Sequence, residues 1–208
     1  MAKPFIGIKK LWYGPVLTQK LGGITIASGV TEYTSIEALL AITGEGAFTE
    51  VKNVHDGTWG YSHDDPDVQE YINELTGQPY YRDKTSLGAR TITFTLGVFE
   101  FQQKADLQGG SVVYPIKHVA ASGETPAHDE PDTTQDPIGW ESSGALENLN
   151  KCIIAQTKTG NYIVFSNASI VAKGDQQEKN IGLGITAVCM ENETTGVQAE
   201  YMYGAQSA

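Results

Sequence analysis

Histidine and carboxylate side chains that would suit a divalent metal ion occur around residues 55–65. The candidate ligands are His55, His63, Asp64 and Asp65, with His118 or His128 as a more distant addition. Zinc sites usually show tighter or more regular ligand spacing than this set. The Asp-Asp-Pro sequence at 64–66 is also typical of turns and caps. We therefore predict turn residues here, and neither a metal site nor a cofactor.

Nucleophilic or acid–base catalysis is poorly supported by the spacing of the polar residues. Four His and many Ser and Thr make accidental Ser–His combinations inevitable, but the G-x-S-x-G pattern of a nucleophile elbow is absent. Gly182-Leu-Gly184 lacks the third glycine of a dinucleotide-binding loop. The adjacent acids Asp64-Asp65 and Asp129-Glu130 would point in different directions on a strand or loop. We predict that the protein is not an enzyme and has no catalytic residues.

Cysteine and aromatic residues are more simply explained by packing than by binding. Cys152 and Cys189 each lie in an apolar run and are too far apart for a metal or redox motif, so we expect buried structural thiols. Trp12, Trp59, Trp140 and ten Tyr would suit base stacking or carbohydrate binding. Aromatic residues in β proteins more often fill the core or a subunit interface. No basic residues interleave them, which disfavours nucleic-acid stacking.

Negative charge is concentrated in one segment. The formal net charge is −11, and His118–Asn150 contains no Lys or Arg. The acids there are Glu124, Asp129, Glu130, Asp132, Asp136, Glu141 and Glu147. No basic footprint for clamping duplex DNA is visible. An acidic surface is compatible with DNA passing without binding, because like charges repel; an acidic loop that only confers solubility explains the pattern equally well.

Composition favours one globular, mainly β domain. The chain has 208 residues, 40% hydrophobic and only 19% charged, below the usual quarter. No signal peptide or long apolar segment is visible, which predicts cytoplasmic synthesis. Ala120–Gly144 has no periodicity and three prolines, so we expect a long acidic loop, docked near its end through Trp140.

The clearest strand–helix pair lies between Ser86 and Gly110. Apolar and small residues alternate there, which predicts a strand. Its apolar face is Ile92, Phe94, Leu96 and Val98, and its thin face is Thr91, Thr93, Thr95 and Gly97. Phe101–Leu107 then reads as a short helix that ends at Gly109-Gly110.

The C-terminal third predicts further strands. Lys151–Thr157 and Tyr162–Val171 flank a Thr159-Gly160-Asn161 turn and form a hairpin. The next strand has Ile181, Leu183, Ile185, Ala187 and Cys189 on one face and Gly182, Gly184 and Thr186 on the other; Val197, Ala199, Tyr201 and Tyr203 alternate in the last.

Other segments carry weaker signals. We predict an extended arm at 1–20, a short strand at Gly22–Ile26, a helix at Thr34–Ile42 capped by Thr34 or Ser35 and ended by Gly44, a strand at Thr49–Val54, and one or two helical turns at Ala145–Asn150. Val68, Tyr71, Ile72 and Leu75 match a helix template, with Asp65, Pro66 and Gly77 as boundary residues.

Three segments together show a family resemblance. They are N-V-H-D-G-T-W-G-Y-S-H-D-D-P and its continuation from Asn53 to Asp83, the stretch Ser86–Gly110, and the closing strands around Tyr162–Val171 and Ile181–Met190. Their order and spacing resemble the major tail tube proteins of long-tailed, siphovirus-type bacteriophages or prophages. The resemblance implies an antiparallel β-sandwich or barrel with one or two short flanking helices and a long loop. It also favours an extended hairpin arm, rather than a helix, after Trp59.

The resemblance implies a structural role. Six copies would close into a ring, and stacked rings would form the tube that delivers the genome, in the virion tail, after assembly in the host cytoplasm. Its partners would be copies of itself, other tail proteins and DNA in transit, and no membrane. Candidate lumen-facing residues are Thr91, Thr93, Thr95, Gly182, Gly184 and Thr186. Candidate inter-ring or inter-subunit residues are Glu124, Asp129, Glu130, Asp132, Asp136 and Trp140.

Three alternatives stay open. The small faces would equally suit packing against a second sheet or exposure to solvent. A ligand- or carbohydrate-binding β module, adhesin-like, would use Trp140 and the long loop as its site. Another tail component of the same fold, such as a terminator, would share the resemblance, since a fold does not fix a function.

Overall fold

Strands dominate the described part of the chain, which in this computed structural model comprises residues 3–21, 36–44, 46–122, 126–145, 147–177 and 179–204. The strands there are β1 (Lys10–Gly14), β2 (Thr49–Val51), β3 (Gly60–His63), β4 (Val68–Ile72), β5 (Pro79–Lys84), β6 (Arg90–Leu96), β7 (Ser111–Val113), β8 (Ile116–Val119), β9 (His128–Pro131), β10 (Gly139–Glu141), β11 (Leu149–Gln156), β12 (Tyr162–Gln177), β13 (Asn180–Cys189) and β14 (Glu200–Tyr203). The helices are α1 (Ile36–Leu40) and α2 (Phe101–Gln108). Neither has the length or the apolar run that a membrane crossing requires.

One antiparallel sheet forms the body of the molecule. Its strand order is β2-β1-β11-β12-β13-β6-β3, and β14 pairs with β12 beside this path. The long strand β12 pairs with β14 through Tyr162–Phe165 and with β13 from Ala168 onward. Residues 52–59 link the two end strands, and Val54 bridges Leu96 on the way. The sheet therefore curls around its core without closing into a barrel.

Two apolar clusters lie on opposite faces of this sheet. The larger cluster includes Phe94 and Phe165, and residues of β1, β2, β6, β11, β12, β13 and α2 all contribute to it. The second cluster joins Trp12, Cys152 and Ile154 of the sheet to Leu39 of α1 and to the 17–21 segment. Part of the sheet is thus covered on both faces.

Most predicted elements are confirmed. The mainly β antiparallel fold with short helices, strand β6, helix α2 and the β11–β12 hairpin are all present. Helix α2 begins with a capping box between Glu100 and Gln103 and ends at Gly109, whose φ of 84° favours glycine. Helix α1 lies inside the predicted range, but its predicted caps Thr34 and Ser35 and the strand Gly22–Ile26 fall outside the described residues. The segment after Trp59 is extended, as the resemblance implies, because β4 pairs with β5.

Several predictions are wrong in part. Ala120–Gly144 contains β9, which pairs with β8, and β10, which pairs with β7, so it is not a continuous loop. The predicted helical turn at Ala145–Asn150 overlaps β11, which begins at Leu149, because pairing with β12 overrides a weak local pattern. The arm predicted at 1–20, by contrast, does contain an extended strand, β1, which pairs with both β2 and β11.

Two predicted inward residues point to solvent instead. Val98 is 67% exposed and Ile181 is 73% exposed, although each continues an apolar face of its strand. Strand β6 ends at Leu96, which pairs with Leu183. Val98 and Ile181 therefore both lie beyond the last pair between β6 and β13.

Candidate functional site

Two of the side chains considered as metal ligands, His63 and Asp64, lie where β3 leads into the β4–β5 hairpin, in agreement with the predicted turn residues. His63 Nε2 lies 3.1 Å from the Leu87 carbonyl oxygen, and the Asp64 N–H donates to the Ala89 carbonyl. A side chain at Gly88, whose φ is 68°, would collide with the Asp64 carbonyl oxygen. Across the described ranges, no three His, Cys, Asp or Glu side chains are grouped to hold a metal ion.

The six candidate lumen residues lie together on one face of neighbouring strands. Thr93 pairs with Thr186 and Thr95 pairs with Gly184. A Cβ at Gly182 would lie 2.6 Å from the Leu96 carbonyl oxygen. Close strand packing therefore already requires glycine at this position, whatever the face meets outside the chain.

A polar cluster crosses this small face. Thr95 Oγ1 donates to Asp175 Oδ2 at 2.9 Å, and Gln177 Nε2 donates to the same oxygen at 2.7 Å. These two hydrogen bonds, led by that of Gln177, lower the pKa of Asp175. On the same face Val171 is 60% exposed, whereas Thr95, Gly182 and Gly184 are buried and Thr91, Thr93 and Thr186 are partly buried. The face therefore combines small and polar residues, of which only some reach solvent.

The first part of the acidic segment belongs to a hairpin of β8 and β9, residues 116–131, which we call the acidic hairpin. Glu130 pairs with Lys117 at 3.0 Å, and the Asp129 carboxylate lies 2.8 Å from His118 Nδ1. The hydrogen bond from Lys117 lowers the pKa of Glu130, and that from Thr134 lowers the pKa of Asp132. Asp136 is exposed and Glu124 falls outside the described residues.

Trp140 lies apart from those acids and is held by its own chain. Its Nε1–H donates to the Gly109 carbonyl at 2.8 Å, and Lys104 Nζ lies 3.9 Å from the ring centroid. The predicted docking of this end of the segment is confirmed. One face of the indole is covered by Lys104, which argues against Trp140 as a sugar-stacking platform.

The β4–β5 hairpin, residues 67–85, projects as what we call the exposed arm. Every residue of both strands is exposed. Its large apolar side chains have exposed fractions of 40% for Val68, 39% for Tyr71, 57% for Ile72, 95% for Leu75, 70% for Tyr80 and 55% for Tyr81. Isolated two-stranded hairpins are marginally stable in water, so this surface is suited to a partner.

An internal ion pair that the sequence did not reveal ties three strands together. Arg90 of β6 pairs with Glu200 of β14 at 2.9 Å, and the Tyr61 hydroxyl of β3 donates to the other carboxylate oxygen at 2.8 Å. Burial and then this hydrogen bond raise the pKa of Tyr61 to about 12. The three residues are far apart in sequence, so no local sequence pattern indicates that they are in contact.

A wide cleft of about 770 Å³ lies beside this ion pair and is lined by Arg90, Cys189 and residues 190–200. Burial raises the pKa of Cys189 to about 11, which keeps its thiol protonated at neutral pH. Burial also raises the pKa of Cys152. At Cys189 burial outweighs the opposing effect of the Arg90 charge, so neither thiol has the lowered pKa of an activated nucleophile.

No protein-family model matches the sequence, and no curated protein matches it significantly. Besides the cleft beside Arg90, three surfaces have no complete internal role: the exposed arm, the acidic hairpin and the small polar face of the sheet.

Proposed function

We propose that this chain is the structural subunit of a phage tail tube, which assembles into stacked, hexameric rings that form the conduit for genome delivery. The observation that carries the proposal is the exposed arm. It places six large apolar side chains in solvent on a hairpin that lacks a core of its own. Such a hairpin is stabilised when another molecule covers it.

Open sheet edges support the same proposal. Strand β2 pairs with β1 and β3 pairs with β6; in the part of the chain that the structure describes, neither has a second neighbour. Unpaired strand edges invite pairing with another chain, and closure into a ring removes them.

Charge is consistent with a conduit for DNA. The formal net charge of −11 disfavours tight binding of phosphates. The small face built from Thr91, Thr93, Thr95, Gly182, Gly184 and Thr186 is our candidate for the lumen. A lumen of small, mostly uncharged side chains would let DNA slide without specific contacts.

Negative-stain electron microscopy of the purified protein across a concentration series tests the proposal. We expect six-fold rings or hollow tubes whose fraction rises with concentration. Tubes of unlimited length support a tube subunit, whereas single rings that never stack would indicate a terminator. Monomers at every concentration, together with saturable glycan binding, would overturn the proposal in favour of the ligand-binding alternative.

Removal of the acidic hairpin tests our candidate for inter-ring contact. The Asp132 N–H donates to the Pro115 carbonyl at 2.7 Å, so residues 116–131 can be replaced by Gly-Gly at a closed base. We expect a folded monomer, because β8 and β9 pair with each other and not with the main sheet. Polymerisation should be lost; normal tubes would exclude this hairpin from the contact.

A further inference from the structure

A small cleft with an apolar and a polar side opens at the edge of the main sheet, where the pairing of β6 ends. It has a volume of about 60 Å³ and lies between the ends of β2 and β6 and the start of α2. Its apolar lining is Val51, Leu96, Val98 and Phe99. A water molecule occupies about 30 Å³ in the liquid, so this cleft has room for the end of one aliphatic side chain.

The tip of the exposed arm presents one such side chain in a fixed turn. Asn73 organises the tip: its carbonyl accepts the N–H groups of Thr76 and Gly77, and its Oδ1 accepts that of Leu75 at 2.9 Å. Leu75 is 95% exposed at the apex of this turn. A leucine held outward by an ordered turn loses little conformational entropy when it is buried by a partner.

Charges beside the two features are complementary. Glu74 precedes Leu75 at the tip, and Lys52 lies on the rim of the cleft. Among the described residues no ion pair of Lys52 forms. The other rim charge, Glu100, is engaged by the N–H of Gln103 in the capping box of α2. The rim therefore offers a cation to an incoming acidic tip.

We propose that Leu75 of one copy inserts into the cleft of a second copy, with Glu74 beside Lys52 of that copy. This inference rests on the proposed function and names the acceptor surface for the arm. Two different surfaces meet in this contact, so it is heterologous: it joins copies either within a closed ring or from one ring to the next. The arm as a whole presents roughly 600 Å² of apolar side chain, against about 800 Å² per partner in a standard interface.

Cysteine cross-linking in the assembled protein tests this contact. The variant Leu75→Cys with Val98→Cys, oxidised at concentrations where the wild type assembles, should give a ladder of covalent oligomers on a non-reducing gel. Two controls are matched to it: Leu75→Cys alone, and Leu75→Cys with Val171→Cys, whose second position is similarly exposed but lies away from the cleft. The wild type reports any background from Cys152 and Cys189.

Each outcome decides the inference. A ladder in the Leu75/Val98 variant and in neither control supports it. Dimers from Leu75→Cys alone would place Leu75 against a second arm or against Cys189 of another copy, and would overturn it. Tubes by electron microscopy without a ladder overturn the inference and leave the proposed function standing; monomers without a ladder remove the support for both.

A quantitative assay complements the cross-link. Leu75→Asp should raise the concentration needed for assembly about tenfold or more, because a buried leucine is replaced by a charge. Leu87→Asp, at a residue that is 74% exposed elsewhere, should leave it unchanged. Glu74→Lys should weaken assembly and Lys52→Glu in the same chain should restore it. Equal effects of Leu75→Asp and Leu87→Asp would contradict the contact.

Discussion

The main sheet has two parts that differ in how many of their faces are buried. In what we call the covered half, formed by β1, β11, β14 and residues 162–165, both apolar clusters flank the strands. In the open half, formed by β3, β6, β13 and residues 168–177, the larger cluster covers one face. On the outer face, Ile154 of the covered half is 0% exposed, whereas Val171 of the open half is 60% exposed.

This difference indicates which part of the sheet maintains the fold and which part has an exposed face available for contacts. Helix α1 and residues 17–21 form an additional layer over the covered half. The open half has no such layer among the described residues, and its outer face carries the candidate lumen residues. The proposed structural subunit would use both parts, one to keep its fold and the other to contact neighbouring copies.

The largest expected effect on stability comes from shortening an outward-facing side chain of the covered half. The same kind of change in the open half is the comparison. Ile154→Ala should lower the free energy of unfolding by about 2–5 kcal/mol, because it leaves a cavity between the sheet and α1. Val171→Ala should change it by less than about 0.5 kcal/mol. Urea unfolding of both variants measures the difference, and similar losses would mean that the open face is covered in the monomer.

Two glycines of the open half, Gly182 and Gly174, allow the two faces to be compared within that half. Gly182→Ala should cost about 1–3 kcal/mol, because its Cβ would lie 2.6 Å from the Leu96 carbonyl oxygen and the strands would have to separate. Gly174→Ala meets nothing within 4 Å and should be neutral or slightly stabilising. Thermal unfolding measures both; a neutral Gly182→Ala would show that the open half tolerates side chains on its small face.

Sequence patterns predicted the open half better than the rest. One-sided burial produces strict alternation, so the faces of β6 and β13 could be assigned, except at Val98 and Ile181, where the core ends. Two-sided burial produces apolar runs such as Cys152–Ala155, which indicate a buried strand but not what covers it. The acidic hairpin was missed because no residue of β8 or β9 is fully buried, so no apolar alternation marks the strands, and cross-strand contacts such as Lys117–Glu130 have no periodic signal. The ion pair of Arg90 with Glu200 could not be predicted, because chain topology alone brings these residues together.

Alkaline pH should weaken the link between the two halves. Tyr61 and Glu200 join β3 of the open half to β14 of the covered half, and the pKa of Tyr61 is raised to about 12. Its phenol ionises near pH 10 when unfolded, so its stabilisation is fully present below pH 10 and is lost as pH rises towards 12.

The variant Tyr61→Phe tests this dependence. Between pH 10 and 12 its free energy of unfolding should fall about 1 kcal/mol less than that of the wild type, after allowance for partial exposure of the phenol. The measurement is urea unfolding at a series of pH values. Tyr162, whose pKa is also raised to about 12 by burial and by Glu37, remains in both proteins and contributes equally. If the free energies of unfolding of the two proteins fell equally between pH 10 and 12, Tyr61 would not couple the halves.

A charge on the open face should have only a small effect on stability. Thr186 is partly buried beside Thr93. Because a lysine there can extend its ammonium into solvent, Thr186→Lys should change the free energy of unfolding by less than about 1 kcal/mol. In the proposed tube, six added cations per ring would hold phosphates and slow DNA ejection, most strongly at low salt. Thr186→Gln is the uncharged control. An unfolded Thr186→Lys variant would place this residue in a core, whereas normal ejection from assembled particles would place the face outside the lumen.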